Sequence, residues 1–351
     1  MSKVLVACGG SLGHINPGLS FIEKLNQNNK ECYLLTTEID YQRFSIIRNN
    51  SFIKEIFKIN VKGINRKNIF KMIYTCFKYI RTLFYILSIY KKIKPSLIIS
   101  TGGYVGGLSV IAARIKRIPY MIHEQNACFG LANKLFYKKA KIVFTSFLMN
   151  VPNECLIGNP RMLTARKVKE DIIKPSFNKI LVMSGSLGSR KINECMIEYL
   201  QTEESKKYDI TLVTGNNYYE MVTKKIGEKN KHFKVLPFLD DPITEMAKSN
   251  LIISRAGATT LFEIIGTSVA AILIPSPNVT NNHQYHNAML LEKCILEEKD
   301  LSVETLENKI KKTINSQEIT KKLQEYSNYY YEKDTKVDWS NIFEICNKFN
   351  H

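Results

Sequence analysis

The chain opens on a short apolar run, Val4-Leu5-Val6-Ala7-Cys8, followed at once by Gly9-Gly10-Ser11-Leu12-Gly13-His14. An apolar run that ends in glycines and leads into an amphipathic stretch reads as a buried parallel strand, a tight turn and a helix. The same order recurs 175 residues later, where a strand-like run ends in Gly185-Ser186-Leu187-Gly188. Further apolar runs at 32–36, 97–101, 120–123, 142–145, 210–213, 251–254 and 271–274 alternate with helical patterns such as 17–26, 106–116 and 191–199. Continuous apolar strands separated by helices mean parallel sheets covered on both faces. The expectation is an α/β chain of two Rossmann-like, doubly wound domains. Gly158-Asn159-Pro160-Arg161 supplies the turn-formers for a hinge between them. We therefore expect domains at 1–157 and 158–335, with a last helical segment at 336–351.

The composition fits a globular chain of that size, with 351 residues, 44% hydrophobic and 23% charged. The net charge of +18 is lopsided: residues 1–160 hold 23 basic and 7 acidic residues, and the remainder holds 27 and 25. A basic half joined to a near-neutral half suggests that the two do different jobs, and the net charge brings an anionic partner into consideration. The eight cysteines are scattered without a C-x-x-C pair, which reads as reduced thiols in a cytosolic setting. The greasiest stretch, 69–90, is interrupted by Lys71, Lys78 and Arg81, against a membrane-spanning helix. From Lys54 to Lys94 there are eleven basic residues and one acid. Read as a helix at ~100° per residue, Lys71, Lys78 and Arg81 fall in one arc beside Phe77 and Phe84. A basic stripe beside aromatics suits the surface of an anionic leaflet, and no nucleic-acid motif accompanies it.

Four glycine turns follow expected strands: 9–13, 102–107, 185–188 and 255–258. In open α/β sheets this end of the strands is where ligands bind, and glycine lets backbone N–H groups approach a phosphate. None is G-x-G-x-x-G and there is no P-loop, so neither a nicotinamide enzyme nor a P-loop ATPase is indicated. His14 ends the first turn, before Asn16-Pro17, which looks like a helix start. A neutral imidazole there suits a general base, and Glu124 in His123-Glu124-Gln125-Asn126 is the rival. Asp240-Asp241 reads as a helix cap rather than a metal pair, and no metal or cofactor is expected.

Taken in order, Gly9–Gly18, Gly102-Gly103-Tyr104-Val105-Gly106-Gly107, His123-Glu124-Gln125-Asn126, Gly158-Asn159-Pro160, Ser184–Ser189 and Gln284-Tyr285-His286-Asn287 resemble the MurG family. These enzymes move N-acetylglucosamine (GlcNAc) from UDP-GlcNAc to an undecaprenyl-pyrophosphoryl N-acetylmuramyl (MurNAc) pentapeptide in peptidoglycan synthesis. The resemblance implies a GT-B architecture with an interdomain cleft and a closing helix that returns to the first domain. It also implies inverting transfer to a C4 hydroxyl at the cytoplasmic face of the cell membrane.

By the same resemblance the donor set is Ser11, Leu12, Gly13, Asn126, Arg161, Ser186, Leu239, Ala258, Thr259, Thr260, Leu261, Phe262, Glu263, Gln284 and Asn287. Glu263 would bind the ribose, the Ala258–Thr260 turn the diphosphate and Leu239 the uracil. Gly102, Gly103 and Tyr104 would lie on the acceptor side, with Lys71, Lys78, Arg81, Phe77 and Phe84 as the membrane patch. Ser11-Leu12 stand where the family usually has Thr-Gly, Leu187 replaces Gln, and Arg161 directly follows Pro160. These departures leave open a glycolipid synthase acting on diacylglycerol, a UDP-GlcNAc 2-epimerase, or a sugar-nucleotide-binding protein without activity.

Overall fold

The computed structural model describes residues 2–61, 69–172, 178–185, 188–227 and 233–340, with side chains from residue 75 onward in the helix that opens at Ile69. Expectations resting on Ser186, Leu187, the Lys71 side chain or residues 341–351 lie outside the described residues. The chain divides into two compact units. The first is Met1–Pro160 with the chain from Lys333, and the second is Arg161–Glu332.

The first unit is built on seven strands, β1 Lys3–Ala7, β2 Glu31–Thr37, β3 Ile53–Ile59, β4 Leu97–Ser100, β5 Tyr120–Glu124, β6 Val143–Thr145 and β7 Glu154–Leu156. They pair in parallel in the order β3-β2-β1-β4-β5-β6-β7. Side chains alternate across such a sheet. Leu5, Leu35, Ile98 and Ile122 pack on one face with Ile86 and Tyr90. Val4, Val6, Leu34 and Ile99 pack on the other with Phe21 and Phe144. Each fully buried aliphatic contributes about 1.5–3 kcal/mol, so the continuous apolar runs themselves hold the sheet between its helices. After Lys333 the chain lies on this unit: Asp334 pairs with Lys24 at 2.5 Å, and the Trp339 ring stacks on Phe144 at 5.4 Å.

The second unit carries β8 Lys179–Met183, β9 Asp209–Val213, β10 Phe233–Leu236, β11 Leu251–Ser254 and β12 Ala270–Leu273, parallel in the order β10-β9-β8-β11-β12. All nine expected strands are present. The three that sequence reading missed, β3, β7 and β10, lie at sheet edges or next to one and carry charged residues such as Lys54, Glu154 and Lys234. Half-solvated strands lack the unbroken apolar run that marks a central one.

One helix boundary corrects the sequence reading. The first helix runs Leu12–Gln27 with Pro17 inside it, so Asn16-Pro17 does not open it. His14 therefore stands in the first helical turn, not in the loop before it. The proline withholds only the N–H that Gly13 would have accepted just past that turn, a loss the packed helix tolerates.

Candidate functional site

In each sheet the strand order reverses at one place, between β1 and β4 in the first unit and between β8 and β11 in the second. Crossovers leave opposite faces there, which opens a crevice at the carboxyl ends of the two strands. The four glycine turns are the loops that follow those four strands.

In the first unit the turn after β1 meets the turn after β4. Gly10 has φ +92°, and a Cβ on it would stand 3.1 Å from the Tyr104 ring. His14 Nδ1 lies 2.7 Å from the Thr101 carbonyl oxygen, and Thr101 Oγ1 donates to the His14 carbonyl at 2.9 Å. A carbonyl only accepts, so Nδ1 carries the hydrogen, and in the neutral ring Nε2 holds the lone pair. That edge of the ring lies against the second turn: a Cβ on Gly103 would be 3.5 Å from Nε2. Gln125 adds its amide 3.4 Å from Nδ1.

Glu124 has another task. Oε1 accepts from the backbone and side-chain N–H of Asn126 at 3.0 and 3.3 Å, and Oε2 accepts from Gly130 N–H and Asn133 Nδ2, both at 2.9 Å. A buried carboxylate with two donors on each oxygen holds the 125–130 loop in shape. His123 is fully buried, 5.6 Å from Phe21 in an edge contact, and desolvation drives its pKa down to about 3. It is neutral at any working pH.

In the second unit, Gly188 has φ +81° and a Cβ there would collide with the Thr214 carbonyl, so only glycine fits. Ser189 then caps the helix Arg190–Tyr199. Arg255 ties the two turns together. Its guanidinium donates to Ser189 Oγ at 2.5 Å and to the Ile274 carbonyl at 3.1 Å, and it pairs with Glu298. The helix Ala258–Thr267 has no acidic residue in its first turn, so its positive end is not offset from within, and Thr259 and Thr260 are half-buried there. Leu261 and Phe262 follow in the same helix. Both side chains are fully buried in the unit's interior, where Phe262 meets Tyr330 at 4.9 Å. At helical spacing both side chains fall on the core-facing side.

Glu263, 4% exposed, pairs with Arg161 Nε at 2.9 Å. Burial raises its pKa above the ordinary carboxylate value, and Arg161 opposes that rise. The pair is possible because the helices Arg161–Glu170 and Ala258–Thr267 approach closely at Gly266, where a Cβ would press on Ala165. Gln284 Oε1 accepts from Ser276 N–H at 2.9 Å, and Asn287 Nδ2 donates to the Ala256 carbonyl at 3.3 Å. Asn287 so sets its helix, His283–Ala288, beside the glycine turn. Leu239 is half-buried beyond β10 next to an exposed Phe238, and Asp241 caps the helix Pro242–Ala247 by accepting from Thr244 N–H at 3.1 Å.

The structure thus gathers Ser11–His14, Gly102–Tyr104 and Gln125 within the first unit. In the second unit, Arg161 meets Glu263, and Asn287 meets the Ala256–Ala258 turn. Sequence reading missed Asp40, Asn133 and Arg255, whose partners lie far along the chain and leave no local signal.

Two α/β units, each doubly wound with glycine turns at its switch point, define the GT-B class of nucleotide-sugar glycosyltransferases. The N-terminal domain model of glycosyltransferase family 28 matches residues 4–145, and the C-terminal domain model matches 179–336. The UDP-N-acetylglucosamine–N-acetylmuramyl-(pentapeptide) pyrophosphoryl-undecaprenol N-acetylglucosamine transferase of Thermoanaerobacter sp. (strain X514) is 35% identical over 96% of each chain. The enzyme of that description from Bacillus pumilus is 32% identical, covering 90% of this chain and 91% of its own. Among solved structures, Acinetobacter baumannii MurG superimposes with TM-score 0.72 at 24% identity, over 99% of this chain and 100% of that one. The S. aureus MnaA–UDP co-structure superimposes with TM-score 0.70 at 14% identity, over 100% and 98%. The chain belongs to glycosyltransferase family 28, in its MurG family.

Proposed function

We propose that this glycosyltransferase moves GlcNAc from UDP-GlcNAc to the C4 hydroxyl of MurNAc-pentapeptide on undecaprenyl pyrophosphate, with inversion. The relatives' descriptions supply the donor and acceptor classes. The observation that carries the chemistry is the His14 to Thr101 bond, which sets the Nε2 lone pair against the second glycine turn. In a single displacement the acceptor O–H gives its proton to His14 Nε2 as the oxygen bonds the anomeric carbon. The bond from that carbon to the diphosphate breaks, and UDP leaves with the electron pair. The first unit takes the acceptor, with Gly102, Gly103 and Tyr104 beside His14.

The second unit takes the donor. Glu263 accepts from the ribose hydroxyls, and the amide end of the helix Ala258–Thr267 with Thr259 and Thr260 holds the diphosphate. Gln284, Asn287, Arg161 and Leu239 complete the donor contacts within this unit. The enzyme works as a peripheral protein on the cytoplasmic face of the cell membrane. Among the described residues no helix is long and apolar enough to cross a membrane. Phe77 and Phe84 are 69% and 67% exposed beside Lys78 and Arg81, which supports a lipid-facing surface. The test is transfer of radiolabel from UDP-GlcNAc to lipid I (the undecaprenyl-pyrophosphoryl MurNAc-pentapeptide) and, in parallel, to diacylglycerol. Labelling of diacylglycerol alone would replace this reading with a glycolipid synthase.

A further inference from the structure

Beneath the first glycine turn lies a carboxylate that the reaction as described does not use. Asp40 is 5% exposed, in the short helix Glu38–Arg43 that follows β2. Its Oδ2 accepts the Gly10 N–H at 2.7 Å and the Thr37 hydroxyl at 2.6 Å, and its own N–H donates to Thr37 Oγ1 at 3.0 Å. The turn sits directly on this group: a Cβ on Gly9 would stand 3.0 Å from Asp40 Oδ2 and 3.0 Å from Val105. The carboxylate also reaches electrostatically to the Tyr104 hydroxyl, whose pKa is raised first by burial and then by Asp40.

Two consequences follow. A bond from a backbone amide to a buried carboxylate is charge-assisted and about twice as strong as a neutral one, so it fixes Gly10 in its left-handed conformation. In addition, the Gly10 N–H is directed inward, away from any ligand, and a negative charge under the turn opposes a phosphate placed on that amide. The Gly10 amide is thus part of a shaped support for the turn. Two residues after Gly10 the first helix begins, and His14 lies in its first turn, gripped on the other side by Thr101.

We infer that Asp40 is a positioning residue for His14: by taking up the Gly10 N–H it sets the turn from which the imidazole is presented. The inference rests on the reading of His14 as the general base. It is tested by assaying transfer to lipid I with wild type, Asp40→Ala, His14→Ala and the double variant. Asp40→Ala is expected to lower kcat about 10²-fold, the effect of a ~1 Å misplacement, with KM for UDP-GlcNAc changed by less than about twofold. Asp40→Asn keeps an oxygen for the Gly10 N–H and recovers all but a few-fold of that loss. On the His14→Ala background Asp40→Ala costs nothing further, because no imidazole remains to be misplaced.

Equal losses on both backgrounds overturn the positioning role and leave His14 in place as the base. Near-normal kcat in His14→Ala removes the base reading itself, and the inference falls with it. A lower acceptor KM in Asp40→Ala, the sign of an amide released to a phosphate, also overturns it. Should Asp40→Ala not fold, Asp40→Asn takes its place in the cycle. Its few-fold loss is then expected only where His14 is present, and an equal loss on both backgrounds, or none, overturns the inference.

Discussion

At the scale of single residues, the geometry separates groups that the sequence left as rivals. His14 and Glu124 both follow a strand in a polar cluster, yet Glu124 accepts from four N–H donors while the Thr101 carbonyl holds His14 by Nδ1. General-base catalysis is worth 10²–10⁴-fold, so His14→Ala should lower kcat by about that factor with little change in KM for UDP-GlcNAc. The acid limb of the kcat profile should vanish as well; a variant with near-normal kcat would return the search to other groups. Glu263 is predicted to act on binding. A carboxylate accepting from two ribose hydroxyls is worth about 1.5–3 kcal/mol, so Glu263→Ala should raise the KM for UDP-GlcNAc roughly tenfold or more. Burial raises the Glu263 pKa, so on acidification wild-type donor binding should weaken at a higher pH than an ordinary glutamate would cause. An unchanged KM in the variant would exclude Glu263 from the donor site.

At the scale of elements, the helix Ile69–Ile93 shows two faces with different duties. Ile86, Ile89, Tyr90 and Ile93 are buried, and Tyr90 hydrogen-bonds Ser109 Oγ at 2.6 Å, which fixes the helix to its neighbour Gly103–Ile115. Phe77, Ile80 and Phe84 instead face outward at i, i+3 and i+7, a stripe that solvent does not favour. Sedimentation with anionic vesicles should therefore carry the protein down at 0.1 M salt and release it at 1 M, as the Debye length falls from ~10 to ~3 Å. The triple variant Lys71/Lys78/Arg81→Glu should stay in the supernatant; equal sedimentation would remove the helix from the membrane contact. The helix Ala258–Thr267 carries a different prediction. If its amide end holds the diphosphate, transfer needs no divalent ion. Activity should persist in EDTA, and a loss restored by Mg²⁺ would overturn that account.

At the scale of the whole molecule, Trp339 offers a way to watch one unit alone. It is the only tryptophan, and it lies on Phe144 and Phe21 of the first unit. His123, packed against the same Phe21, has its pKa lowered to about 3 from 6.5. Between those values the unfolded chain binds a proton that the folded unit refuses. The stabilisation is therefore complete above pH 6.5 and drains away as pH falls toward 3, at up to about 1.4 kcal/mol per pH unit. Tryptophan-detected urea midpoints should drop between pH 7 and pH 4, and drop less in His123→Phe. Identical slopes in the two proteins would show that His123 is not the group responsible.

The sequence by itself determined the class of fold, because central parallel strands must be apolar on both faces and so announce themselves as unbroken runs such as Val4 to Cys8. It also located the four glycine turns, in three of which glycines take positive φ (Gly10, Gly102, Gly103, Gly185 and Gly188). β3, β7 and β10 stayed hidden because they are edge strands that are only partly buried, and the start of the first helix was misread because Pro17 is a cue to a boundary that packing overrode. Only the tertiary structure decided which polar groups meet. Asp40 finds Gly10 thirty residues away, His14 finds Thr101 at a distance of eighty-seven, and Arg161 finds Glu263 at one hundred and two. Such partnerships depend on the strand order β2-β1-β4 and on two helices closing over Gly266. Strand order is a property of how the crossovers pack, and no local pattern encodes it.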